Sequence, residues 1–146
     1  MSAMAALYTV DASVFLNSFN PAEAGHPTSR AMLARMQAEA TPVIVPTLLL
    51  PEVAAAVSRG RGDAELASRF AAALRRLPHL VWVPLDDHLA RQAAVVAARH
   101  GLRGSDAVYA AVALRFGSTL VTLDREQHQR VAGVVATRHP GAVYNE

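Results

Sequence analysis

Five short apolar runs recur along the chain: Leu7-Tyr8-Thr9-Val10, Val43-Ile44-Val45, Leu80-Val81-Trp82-Val83, Thr119-Leu120-Val121-Thr122 and, as the weakest, Val134-Val135-Ala136. They are continuous rather than alternating, the pattern of strands covered on both faces of a parallel sheet. The segments between them carry a helical period. Leu33, Met36 and Ala40 mark one stripe, and Leu66, Phe70, Leu74 and Leu77 a second that leaves Arg69, Arg75 and Arg76 directed elsewhere. Leu89, Ala93, Val96, Ala97 and His100 mark a third. Ala107–Leu114 is apolar on every side, which predicts a buried central helix. Strand–helix alternation of this kind predicts an α/β domain with a mainly parallel sheet and right-handed crossovers.

Size and composition narrow the class. A chain of 146 residues fits one domain, expected over 1–146. With 52% hydrophobic and 18% charged residues it belongs with globular rather than disordered chains. It has no cysteine, so disulfides, Cys-ligated zinc and thiol catalysis are excluded, and a reducing cytoplasm is a compatible setting. The longest stretch free of Asp, Glu, Lys and Arg is Ala40–Pro51, too short for a bilayer and interrupted by Pro42 and Pro46. Met1-Ser2-Ala3-Met4 lacks a basic n-region, and Asp11 breaks the apolar run after it. The expectation is a cytoplasmic protein with no membrane partner. The net charge is +2, and all 14 basic residues are arginines. The guanidinium fork suits phosphate, which agrees with a nucleic-acid partner, although a coding bias toward Arg and Ala gives the same composition.

The informative chemistry lies in four acids. Asp11 directly follows the first apolar run, and Asp124 lies just past the fourth. Glu52 stands in the helix pattern after the second run, and Asp106 opens the buried helix after Arg103-Gly104-Ser105. In open parallel sheets ligands bind at the carboxyl ends of the strands, where the strand order reverses. Each acid also has a plain structural reading. Asp11 or Ser13 can cap a helix, Asp124 with Gln127 fits a capping box, and Asp106 in a first turn gains from the helix dipole. Glu52 is harder to explain that way, because it interrupts Leu48-Leu49-Leu50-Pro51 and Val53-Ala54-Ala55-Ala56-Val57. A carboxylate isolated among apolar neighbours is costly unless paired or metal-bound. Two carboxylates about 5 Å apart repel by roughly 3 kcal/mol at an effective dielectric near 20, so four together call for cations. Hard oxygen donors without His or Cys select Mg²⁺ or Mn²⁺, and such a site activates water against a phosphodiester.

Other candidates carry less. The six histidines, His26, His79, His88, His100, His128 and His139, form no helical pair of zinc spacing and read as core or surface residues. Trp82 and Tyr109 read as core. Arg103, three residues before Asp106, is placed to meet a phosphate or a partner's carboxylate. A phosphatase of the haloacid-dehalogenase type needs a second Asp where Ser13 stands, and a receiver domain needs a lysine that the chain lacks.

The strings Val10-Asp11-Ala12-Ser13-Val14, Pro51-Glu52-Val53, Gly104-Ser105-Asp106-Ala107-Val108-Tyr109-Ala110-Ala111-Val112-Ala113 and Val121-Thr122-Leu123-Asp124 resemble, in order and spacing, the four acidic motifs of PIN-domain ribonucleases. The likeness is greatest to VapC-type toxins of toxin–antitoxin pairs and runs from Leu7 to about Arg138. It implies a three-layer α/β/α domain with about five mainly parallel strands, and an endoribonuclease that uses Mg²⁺ or Mn²⁺. It implies RNA as substrate, a homodimer, and a small antitoxin whose tail enters the active-site groove. Carried over by motif, Asp11, Glu52, Asp106 and Asp124 are the catalytic metal ligands, Ser13 and Thr122 support them, and Arg103 is a candidate RNA or antitoxin contact. Many toxin relatives have Asn where Asp124 stands, and Arg59-Gly60-Arg61 matches the family's basic segment only approximately. Two alternatives accompany this reading: a PIN-domain RNA-processing nuclease that is no toxin, and a catalytically silent PIN fold used for binding or dimerisation.

Overall fold

The computed structural model describes residues 6–144. The expectation about Met1–Met4 and the outermost ends of the 1–146 domain therefore lie outside the described residues. Five strands, β1 (Tyr8–Val10), β2 (Val43–Pro46), β3 (Leu80–Val83), β4 (Thr119–Val121) and β5 (Thr137–Arg138), form one sheet in the order β3-β2-β1-β4-β5. Every pairing is parallel. Seven helices lie between the strands among the described residues: α1 (Ala12–Phe19), α2 (His26–Ala38), α3 (Leu49–Arg61), α4 (Ala64–Arg75), α5 (Asp87–His100), α6 (Gly104–Phe116) and α7 (Arg125–Val131). A 3₁₀ turn, Pro140–Ala142, follows β5 and rests on α2.

The strand order dictates the layers. From β1 through β2 to β3 the chain steps toward one edge, and from β3 it returns past β1 to β4 and β5. Right-handed crossovers in opposite directions place α1–α4 on one face and α5–α7 on the other. The packing agrees, with α1 against α2 and α3, α3 against α4, and α5 against α6. Both faces being covered, Val10, Val43, Val45, Leu120 and Val121 are all sealed from solvent, which is why their runs are continuous. Helix α6 lies across β1, β2 and β4, and Ala107–Ala113 is buried on every side, as expected. Leu114, the last residue of that expected stretch, is exposed.

Two readings need correction. The final strand is Thr137–Arg138, not Val134–Ala136. Val131 and Val135 instead bury themselves behind α7, and the Val134 and Val135 amides turn back onto the Val131 carbonyl, so only Ala136 contributes a ladder bond, to Leu120. In α2 the buried face is His26, Ser29, Met32 and Met36. Ala40 lies beyond the helix end with φ of 53°, so it cannot extend that stripe. Among the described residues no helix is long and apolar enough to cross a membrane.

Candidate metal centre

The reversal of strand order falls between β1 and β4, and Asp11 and Asp124 stand at the carboxyl end of that pair. The Asp11 amide donates to the Val121 carbonyl at 3.1 Å, which ties the two strand ends together. Each of these acids then starts a helix. Asp11 Oδ1 accepts from the Ser13 amide at 3.1 Å and from the Ser13 hydroxyl. Asp124 Oδ1 accepts from the amides of Glu126 and Gln127 at 3.0 and 3.1 Å. The capping reading is thus correct for both, and it uses one oxygen of each. The second oxygen of Asp124 accepts a guanidinium N–H of Arg103 at 2.9 Å.

Glu52 and Asp106 come to the same place on first helical turns, of α3 and α6 respectively. All four acids, with Ser13, Arg103 and Tyr109, line one cavity of about 250 Å³. Their charges act on one another there. Burial pushes the Asp11 carboxyl up to about 6, and the negative Asp106 adds to this, against hydrogen bonds from Ser13 and Thr122 that pull it down. Burial also raises Glu52, with Asp106 again adding, while the Tyr109 hydroxyl and Arg103 work the other way. Asp106 is therefore the hub of the cluster.

Arg103 is the cation that the fold itself supplies. Its Nε donates to Asp106 Oδ2 at 3.0 Å while its Nη2 holds Asp124. The side chain is 75% exposed, so nothing but these two bonds holds it over the site. As the side chains stand, no three acids among the described residues close up on a single point that an ion fills. The donor set nonetheless suits a hard divalent cation: carboxylates from four elements, two of them raised chiefly by burial with Asp106 adding, and two already bridged by a positive group.

The supporting residues divide cleanly. The Ser13 hydroxyl donates to Asp11 and accepts from the Leu123 amide at 3.2 Å, so it braces the two strand ends and is not a free nucleophile. Thr122 accepts from the Asp124 amide at 3.0 Å and lies within reach of both Asp11 and Gln127. Gln127 departs from the capping box. Its buried amide does not return to Asp124 but spans Thr122 and the Asp106 carbonyl, at 3.0 and 3.3 Å. Tyr109 was read as core, and its ring is 1% exposed, yet its hydroxyl donates to Glu52 Oε1 at 2.6 Å. Neither role was visible from spacing, because each depends on which helix crosses the strand ends. Of the histidines, His26 and His79 are buried, and none lines the cavity.

A family model for the PIN domain matches residues 8–134. Similar solved structures include VapC20 of Mycobacterium tuberculosis, a toxin that cleaves the sarcin–ricin loop, with 26% identity, a TM-score of 0.72, and 90% of this chain and 98% of that one covered. PAE2754 of Pyrobaculum aerophilum is also 26% identical, with a TM-score of 0.66 over 92% of this chain and 85% of the other. A toxin–antitoxin complex of Klebsiella pneumoniae shares the fold at 19% identity, with a TM-score of 0.62 over 92% and 97%. No curated protein sequence matches the chain. The match over residues 8–134, with the five-stranded parallel sheet and the order of the acidic motifs, places this chain in the PIN-domain family.

Proposed function

We propose that the protein is a metal-dependent endoribonuclease of the VapC toxin type, with Asp11, Glu52, Asp106 and Asp124 as the ligands of Mg²⁺ or Mn²⁺. The observation that carries this reading is the meeting of four carboxylates, far apart in sequence, on one cavity at the reversal point of a parallel sheet. The likeness to VapC20 supports RNA as the substrate, and the likeness to the Klebsiella complex supports a small antitoxin as partner. Such a protein works in the cytoplasm, where its RNA is, and as a homodimer.

A bound divalent cation supplies Lewis-acid chemistry, lowering the pKa of water and countering charge that builds on the phosphate. The chain's own groups do the rest. Asp11 and Asp124 present their uncapped oxygens from helix starts, and loading a cation requires Arg103 to leave the second oxygen of Asp124. Asp106, central to the cluster, holds its place through Arg103 and through the backbone bond to Gln127. Arg103 swings on an exposed stem toward a phosphate oxygen once the acids are neutralised otherwise. A second hollow of about 260 Å³ shares Arg103, Asp106 and Asp124 and adds the Arg130–Glu126 ion pair, so two guanidinium groups stand beside the acids there. With no cysteine, no histidine in the cavity and Ser13 tied at both ends, water is the nucleophile. Its in-line attack breaks the bond from phosphorus to O3′ and leaves 5′-phosphate and 3′-hydroxyl ends.

Incubating RNA with the purified protein and Mn²⁺ tests this directly. Cleavage is expected from wild type and not from Asp106→Asn at unchanged circular dichroism; equal cleavage by both removes the assignment. A short reading frame abutting this gene, encoding a DNA-binding head and a flexible tail, would mark a toxin rather than an RNA-processing nuclease.

A further inference from the structure

Tyr109 stands where three elements of the site meet. It lies on α6, one turn after Asp106, and its ring is sealed in the core. Its hydroxyl lies beside the backbone of Ala12, the residue after Asp11, and donates to Glu52 Oε1 at 2.6 Å. That length is at the short end for a hydroxyl hydrogen bond. One oxygen of Glu52 is thus fixed relative to the Asp106 helix, and Glu52 itself lines the cavity.

The hydroxyl is not required for packing. Phenylalanine fills the same ring volume without burying a polar atom, and in an otherwise apolar helix it would be the simpler choice. Glutamate, by contrast, has three rotatable bonds and loses considerable freedom when held in one rotamer. A rigid ring on a buried helix removes that freedom before any cation arrives. Burial and the negative charges of Glu52 and Asp11 drive the phenol strongly upward, so it remains protonated and able to donate.

We propose that Tyr109 is a positioning residue of the metal centre, its ring fixed in the core and its hydroxyl orienting the Glu52 carboxylate toward the cations. The inference rests on the reading of Glu52 as a ligand. Calorimetric titration of Mn²⁺ into the metal-free full chain, as wild type, Tyr109→Phe, Glu52→Gln and the double variant, tests it without recourse to activity. Tyr109→Phe should weaken Mn²⁺ binding by about tenfold while still unfolding cooperatively. In the Glu52→Gln background the same change should have no further effect, since the group it orients is gone.

Wild-type affinity in Tyr109→Phe overturns the proposal. So does an equal loss in the Glu52→Gln background, which means that the hydroxyl acts on something other than Glu52. Failure of Tyr109→Phe to fold also overturns it, because the hydroxyl then serves the core. Should Glu52→Gln bind Mn²⁺ as tightly as wild type, or wild type not at all, the ligand reading fails first and takes this inference with it.

Discussion

Two pairs of acids meet in one cavity, but the chain holds them by different means. Asp11 and Asp124 leave the ends of neighbouring strands, and each commits one oxygen to backbone amides as a helix cap. Glu52 and Asp106 sit inside first turns, where they cap nothing, and side chains hold them: Tyr109 on Glu52, Arg103 on Asp106. The strand-end pair therefore serves the fold and the site together. The helix-borne pair gives the fold no cap, only what an acid gains near a helix start, and the metal-free fold bears the buried charge of Glu52 as a burden. Stability and activity should accordingly separate differently in the two pairs.

The largest expected effect ignores the difference. Asp11→Asn and Asp106→Asn should each lower Mn²⁺-dependent RNA cleavage by about 10³-fold, as loss of several kcal/mol of charge stabilisation requires. Single-turnover gel assays read this; a drop confined to one pair would make the other pair purely structural. The next effect belongs to Asp11. Because its carboxyl is raised from 3.8 to about 6, the folded chain holds the proton more tightly than the unfolded one. Metal-free stability should therefore be greatest on the acid side of this window and fall as the pH rises through it, by about 3 kcal/mol at most. Urea unfolding of wild type and Asp11→Asn at several pH values checks the sign, since the variant should lack this component. Smaller still is the cap. Asp11→Ala should be about 1 kcal/mol less stable than Asp11→Asn, which can still accept the Ser13 amide, whereas Glu52→Gln should not destabilise the metal-free protein. Thermal unfolding distinguishes them, and a destabilised Glu52→Gln would erase the contrast between the pairs. The least effect is expected of Arg103→Ala. It should leave the unfolding midpoint unresolved from wild type, given an exposed guanidinium, and tighten Mn²⁺ binding by roughly fivefold at most as a competing cation departs.

Most of this was legible along the chain for a physical reason. Strands covered by helices must be largely apolar, so the sealed Val43–Val45 and the edge run Leu80–Val83, whose Val81 is exposed, announced themselves, and the all-apolar Ala107–Ala113 announced the central helix. The four acids were legible because such groups interrupt apolar stretches at strand ends and helix starts. What escaped reading depends on contacts between elements. Val134 and Val135 are apolar enough for a strand, yet α7 runs to Val131 and the turn after it consumes them. Tyr109 and Gln127 carry no signal of their own. Their polar ends find partners only because α6 crosses β1 and β4 at that point. Leu33 was expected inward and is half-covered, because Met32 takes the inner face of α2.

The sheet order also governs when the proposed site can first assemble. During synthesis Asp11 and Glu52 emerge early, but the strand that must lie beside β1 is β4, and Asp124 follows it. A chain that stops short of β4 has three of the four acids but lacks Asp124 and the strand end to which Asp11 is tied. The pairing that completes the proposed site thus waits for the late part of the chain.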